Sequence, residues 1–206
     1  KRRQMMGDTQ VRPSDATKFP IIDACLRVPR EEFVPQDLRD AAYVGEHLPL
    51  SDARVLLDPR VFAKMLDALD VQNSDLVLDV GCGFGYSSAV IGQIAEAVVS
   101  LEDDASLVKE ASATTQEIGA DNVAIIEGPL HVPYDAVILQ GGAEEIPTAL
   151  LDQIKDGGRI IAIFMEGAVG SVRLGIKSAQ RVSWRSDFDA TAPRLPGFNK
   201  SVAFSL

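Results

Sequence analysis

The segment from Leu76 to Tyr86 constrains the fold more than any other. Leu76-Val77-Leu78-Asp79-Val80 is a short apolar run that follows the turn residues Asn73-Ser74-Asp75, the pattern of a buried strand. Gly81, Gly83 and Gly85 then alternate, and a helical pattern opens at Tyr86. Glycines at such a corner let the chain turn tightly and let a ligand approach the main chain closely. The free N–H groups and partial positive charge of a helix start lie beside them. Strand, glycine loop and helix in this order mark a nucleotide-type site at the C-terminal edge of a parallel sheet.

The flanking sequence extends this to an α/β fold with a doubly wound, mostly parallel sheet. After the glycine loop the pattern predicts a helix over 86–96, a strand over 97–102, a helix over 106–118 stopped by Gly119, and strands over 123–127 and 135–140. A helix over 147–154 and a strand over 159–164 follow. Repeated strand–helix units with near-continuous apolar strands require helices on both faces of the sheet. Residues 172–177 and 181–185 alternate apolar with polar, which suits antiparallel strands at one sheet edge. Residues 201–204 read as one more short strand.

The N-terminal part is less regular. Residues 1–18 are polar and broken by Pro13, and read as a loosely held arm or a short helix. Ile21, Ile22, Cys25 and Leu26 recur at helical spacing, and 30–33 and 35–42 read as short helical pieces. Pro49 and Ser51-Asp52 mark a loop. Asp58-Pro59 opens a helix to about Leu69, with Asp58 as N-cap and Pro59 in the first turn. We expect one structural unit overall: a helical arm and lid over 1–57 and a ligand-binding α/β domain over 58–206.

Composition bounds the function. Thirty acidic against twenty basic residues give a formal charge of −10. That disfavours an unspecific nucleic-acid binder. The longest strongly apolar run, Ile160–Met165, is six residues, far short of the ~20 that a membrane span needs. No apolar stretch follows Lys1-Arg2-Arg3, so no secretory signal is expected, and a start at Lys suggests that some native residues are missing. Cys25 and Cys82 are far apart, and His47 and His131 are the only histidines. We expect a reduced, cytoplasmic protein without disulfide or metal.

The ligand follows from the loop's spacing and charge. A dinucleotide fingerprint is GxGxxG, whereas this chain has GxGxG with Asp79 two positions before the first glycine. A carboxylate there opposes a pyrophosphate and suits a cationic ligand. S-Adenosylmethionine (SAM) carries a sulfonium and an ammonium. Glu102, at the end of the next strand, stands where a carboxylate accepts bonds from ribose hydroxyls, and Asp103 reaches the same end. The expected cofactor site is Asp79, Gly81, Cys82, Gly83, Gly85, Tyr86, Glu102 and Asp103.

The chain also resembles the protein-L-isoaspartate O-methyltransferase family over about residues 20–165. The resemblance is carried by Val28-Pro29-Arg30-Glu31-Glu32-Phe33-Val34-Pro35, Ala42-Tyr43, Leu48-Pro49-Leu50, Pro59 with Ala63 and Met65, and Asp79 to Tyr86. Tyr134-Asp135-Ala136-Val137-Ile138, Glu145-Ile146-Pro147, Leu150-Leu151, Gln153 and Gly157-Gly158 continue it. The resemblance implies a SAM-dependent methyltransferase fold, a protein or peptide substrate, and methylation of its isoaspartyl carboxyl group. It adds Leu56, Gly128 and Gln140 to the cofactor site and names no catalytic residue. Three segments depart from the family pattern. Leu57 stands where the family's GQTIS-like segment has its serine, Gly128-Pro129-Leu130 replaces GDG, and Gln140-Gly141-Gly142 replaces a small TAA-type segment. A carboxylate acceptor is ionised at neutral pH, so its methylation requires no general base. The alternative is a SAM-binding protein of the same fold with another acceptor, a small molecule included, or a non-catalytic scaffold or sensor role.

Overall fold

The computed structural model describes all residues except 15, 17, 52, 129 and 201–206, so the strand expected over 201–204 and the Pro129 departure lie outside the described residues. In chain order the elements are α1 (Arg2–Met6), α2 (Phe19–Arg27), β1 (Leu48–Pro49), β2 (Val55–Leu56), α3 (Pro59–Leu69), β3 (Leu76–Val80), α4 (Tyr86–Gly92), β4 (Ala97–Glu102), α5 (Ala105–Glu117), β5 (Val123–Glu127), β6 (Tyr134–Ala143), α6 (Thr148–Leu151), β7 (Ile154–Glu166), β8 (Val169–Ser178) and β9 (Arg181–Asp189).

β3 to β9 form one sheet in the order β5-β4-β3-β6-β7-β8-β9. The pairs from β5 to β7 are parallel, and β8 and β9 add antiparallel at the edge. The chain moves outward from β3 through β4 to β5, then returns to lay β6 on the other side of β3. That reversal opens a crevice at the C-terminal ends of β3 and β6, the place where doubly wound sheets hold ligands.

Side chains alternate across each strand, and the core splits accordingly. Val77, Val98, Ala136, Ile138, Ile161 and Ile163 face a layer that includes Cys25, Phe33, Phe62, Leu66 and Val90. Leu78, Val80, Val137, Leu139, Ile160 and Ala162 face the opposite layer, with Ile146, Leu150 and Leu195.

Several boundaries differ from the sequence reading, each for a tertiary reason. The helix expected over 86–96 stops at Gly92. The Asn122 side-chain amide donates to the carbonyls of Gly92, Ala95 and Glu96 at 2.9, 3.3 and 3.1 Å, taking acceptors that another helical turn would need. The helix expected over 147–154 shrinks to α6, because Ile154 pairs with Tyr134 to begin β7. β6, expected over 135–140, runs on to Ala143 through a bulge. β8 and β9 are likewise longer than expected.

Of the two readings of the N-terminal stretch, the short helix is the one found among its described residues, as α1, and it is not loosely held. After α1 the chain makes a wide turn over Gly7–Val11 and a short 3-10 turn over Arg12–Ser14. Met6 and Val11 are buried in the same core layer as Phe62 and Val77. Arg3 donates to the carbonyls of Leu26 and Arg27, at the end of α2. The stretch read as a loop at Pro49 contains a minimal hairpin, β1 with β2, in which Leu48 pairs with Leu56.

Candidate functional site

The glycine corner has the backbone that its sequence demands. Gly81, Gly83 and Gly85 have φ of +74°, +57° and +90°, the left-handed region that side chains with a Cβ avoid. Space is short as well. A Cβ on Gly81 would lie 2.8 Å from a Leu195 methyl, and one on Gly85 would lie 3.3 Å from Ala111 of α5. The loop is pinned from β4, where the Leu101 carbonyl accepts from Gly81 N at 2.8 Å.

Asp79 sits behind this loop. On β3 it shares the Val77 face, which looks toward α4, and the pairing Asp79↔Ile138 puts Gln140 of β6 within reach on that same face. Its carboxylate accepts from Ser87 Oγ at 2.6 Å, Ser88 Oγ at 2.8 Å and Gln140 Nε2 at 2.7 Å. Burial pushes its pKa up to about 6, against the pull of those three donors. The group joins loop, helix start and neighbouring strand, and its side chain is not at the crevice surface. Tyr86 is equally inward. Its ring packs against Phe33 and Phe62 and under the buried Arg30 guanidinium, 4.7 Å from the ring centroid. The Cys82 thiol is buried beside the loop, and burial raises its pKa well above the ordinary thiol value.

Glu102, at the end of β4, has its side chain fully buried. It accepts from Gly83 N at 2.9 Å and Asp103 N at 2.9 Å, so it braces the glycine loop. Arg54, just before β2, forks onto the same carboxylate, with Nε 2.8 Å from Oε2 and Nη2 2.6 Å from Oε1. Nη2 also pairs with the largely exposed Asp103. Burial alone would raise the Glu102 pKa, but the hydrogen bonds and charge of Arg54 outweigh it and hold the carboxyl below its usual range.

A cavity of about 220 Å³ opens at this corner, lined by Arg54, Val80, Gly81, Leu101, Asp103, Gly128, Leu195, Pro196 and Phe198. Of the sequence-predicted set, Gly81, Asp103 and Gly128 line it, and Glu102 lies against it through Arg54. Gly83, Gly85 and Cys82 shape the loop. Asp79, Tyr86 and Gln140 support it from behind, and Leu56 is buried in the adjoining core.

Arg54, Leu195 and Phe198 were not singled out from sequence. Arg54 meets a partner 48 positions away. Leu195 arrives because the chain after β9 crosses the sheet's C-terminal edge, with Gly142 N bonded to the Pro193 carbonyl at 2.7 Å and Leu195 N to the Gly142 carbonyl at 2.8 Å. No local pattern marks either contact. The only available signal for Arg54 was a lone cation near the loop of an acidic chain.

The residues present fit a nucleoside cofactor. They offer a glycine cradle, a carboxylate at the end of the adjacent strand, and the apolar walls of Leu101, Val80 and Phe198. The fold and the corner together define an α/β enzyme of the SAM-dependent methyltransferase class. The sequence profile of the protein-L-isoaspartate(D-aspartate) O-methyltransferase family matches residues 9–180, and the chain belongs to that family. A Syntrophus aciditrophicus protein-L-isoaspartate O-methyltransferase is 37% identical over 167 residues, covering 78% of this chain and 77% of that protein. A second, from Pelobacter propionicus, is 35% identical over 166 residues, covering 78% and 74%. Among solved structures, one titled protein-L-isoaspartate O-methyltransferase matches 95% of this chain and 66% of its own, with a TM-score of 0.82 at 22% identity. A candidate Plasmodium falciparum member in complex with S-adenosyl-L-homocysteine covers 94% and 97%, with a TM-score of 0.81 at 18% identity. At such identities the two structures speak to the fold.

Proposed function

We propose that this chain transfers the methyl group of SAM to a carboxyl group of a protein, the isoaspartyl carboxylate being the acceptor that its family membership supports. The observation that carries the reading is the Gly81–Gly85 corner with Glu102 beside it, at the switch point of the sheet. SAM supplies a methyl carbon already activated by a sulfonium. The protein's part is to bind, align and exclude water. Glu102 is the carboxylate that would take ribose hydroxyls in place of its Arg54 partner, the glycines allow close approach to the main chain, and Leu101 and Phe198 provide apolar walls for a base. Asp79, Ser87, Ser88 and Gln140 hold the loop in shape. A carboxylate nucleophile is ionised at neutral pH, so no residue has to remove a proton. Residues 1–57 act as the lid: Leu50 lies against Gly83, and Arg54 covers Glu102. Two buried free thiols, Cys25 and Cys82, support a reducing, cytoplasmic setting. No described helix is long and apolar enough to cross a membrane.

One observation favours a second reading, with a different acceptor or no transfer. Leu57 is 2% exposed and presents no hydroxyl, and its carbonyl accepts from Arg30 Nη2 at 2.5 Å. Calorimetry with SAM and S-adenosylhomocysteine, followed by labelled SAM with an isoaspartyl peptide, decides between them. Binding with transfer supports carboxyl methylation, binding without transfer moves the search to other acceptors, and failure of both ligands to bind removes the cofactor reading.

A further inference from the structure

Glu102 has no acceptor left for a ribose. A carboxylate offers about four lone-pair sites. On Oε1, Arg54 Nη2 lies at 2.6 Å, Asp103 N at 2.9 Å and Asp104 N, as the longest contact, at 3.3 Å. On Oε2, Arg54 Nε lies at 2.8 Å and Gly83 N at 2.9 Å. The three backbone donors belong to the loop and to the residues just after the strand end, and move only if the corner itself deforms. The two Arg54 donors sit on a side chain anchored in the short β1–β2 hairpin, where the Arg54 carbonyl accepts from Leu50 N at 2.9 Å. Nη2 bonds Oε1, and Nε bonds Oε2 with a longer 3.0 Å contact to Oε1, so the fork covers both carboxylate oxygens, as the two hydroxyls of a vicinal diol would.

We infer that Arg54 is a specificity-setting competitor at the cofactor site: its guanidinium holds the diol-binding face of Glu102, and a nucleoside with both ribose hydroxyls enters only by displacing it. This rests on the SAM reading of the site. Arg54 has somewhere to go, because Nη2 already pairs with Asp103, whose side chain is 63% exposed. On release the arginine keeps one anionic partner and moves toward solvent. The hairpin carries Leu50 over Gly83 and Arg54 over Glu102, so cofactor entry and the position of the hairpin are linked. A ligand that lacks the diol gains nothing from the exchange, so the competition selects for an intact ribose.

The test is calorimetry on the full chain with two probes, S-adenosylhomocysteine and its 2′,3′-dideoxy analogue. When the binding-competent state is a minor one, the apparent Kd rises by the inverse of its population. Arg54→Ala removes the competitor, and we expect it to bind S-adenosylhomocysteine at least about tenfold tighter than the wild type. The dideoxy analogue should bind both chains alike. Arg54→Lys keeps the charge but not the fork, and should fall between the two; it also serves if the alanine variant does not fold. Equal or weaker binding of S-adenosylhomocysteine by the variants, with the wild type binding, overturns the inference and leaves the cofactor reading standing. So does an equal gain for the dideoxy analogue. If neither wild type nor variants bind S-adenosylhomocysteine, the cofactor reading fails and the inference falls with it.

Discussion

Asp79 shows how one residue's environment decides its work. Its position two before the first glycine suggested a partner for a cationic ligand, but the two-residue period of β3 turns it toward α4, where Ser87, Ser88 and Gln140 converge on it. Burial raises its pKa from 3.8 to about 6, so the folded state binds this proton more tightly than the unfolded chain. Between those values the folded state carries more protons, and stability falls as pH rises. The Asp79 contribution is therefore most favourable below about pH 4 and is lost through pH 6. Asp79→Asn has no such titration. Urea unfolding of both chains at pH 4.5 and pH 7 should show the stability of wild type relative to the variant dropping by about 2 kcal/mol at the higher pH. A difference that stays flat would mean that Asp79 ionises in the fold as it does in the unfolded chain.

At the scale of elements, those with a strong local signal form where the pattern puts them. α3 starts at Asp58-Pro59 because the Asp58 carboxylate accepts from Arg60 N at 2.7 Å and proline has no N–H to lose. β3, β4 and β5 match their apolar runs residue for residue. The elements that differ are those whose ends are set by a distant group. α4 gives up its last turn to Asn122, which lies 30 positions beyond Gly92. Asn122→Ala would leave those carbonyls without that donor, at a cost of about 1–3 kcal/mol. A lower urea midpoint, with faster amide exchange confined at first to the end of α4 and the start of β4, is the expected outcome. The β1–β2 hairpin has two residues in each strand. Nothing in 48–56 announces it, since so short a pair depends on its contacts with the glycine loop and Glu102.

At the scale of the whole molecule, the candidate site is closed by parts far apart in sequence: the hairpin with Arg54 on one side and the crossing segment with Leu195 on the other. Leu195 is 2% exposed and fills the space above Gly81 and Gly141. Leu195→Ala should lower stability by about 2 kcal/mol or more, as buried leucine truncations do. Thermal and urea unfolding would register it, and an unchanged midpoint would mean that the crossing segment is only loosely docked. The sequence by itself determined the sheet, the glycine corner, the carboxylate at the end of β4 and the helix caps. Each follows from short-range periodicity, from backbone freedom, or from a side chain bonding to its own neighbourhood. Only the tertiary structure decided that Asp79 and Gln140 meet behind the loop, that the N-terminal arm packs into the core, and that Arg54 holds Glu102. Those contacts join residues dozens of positions apart, and their energy comes from burial and charge pairing that exist only once the chain has folded and excluded water.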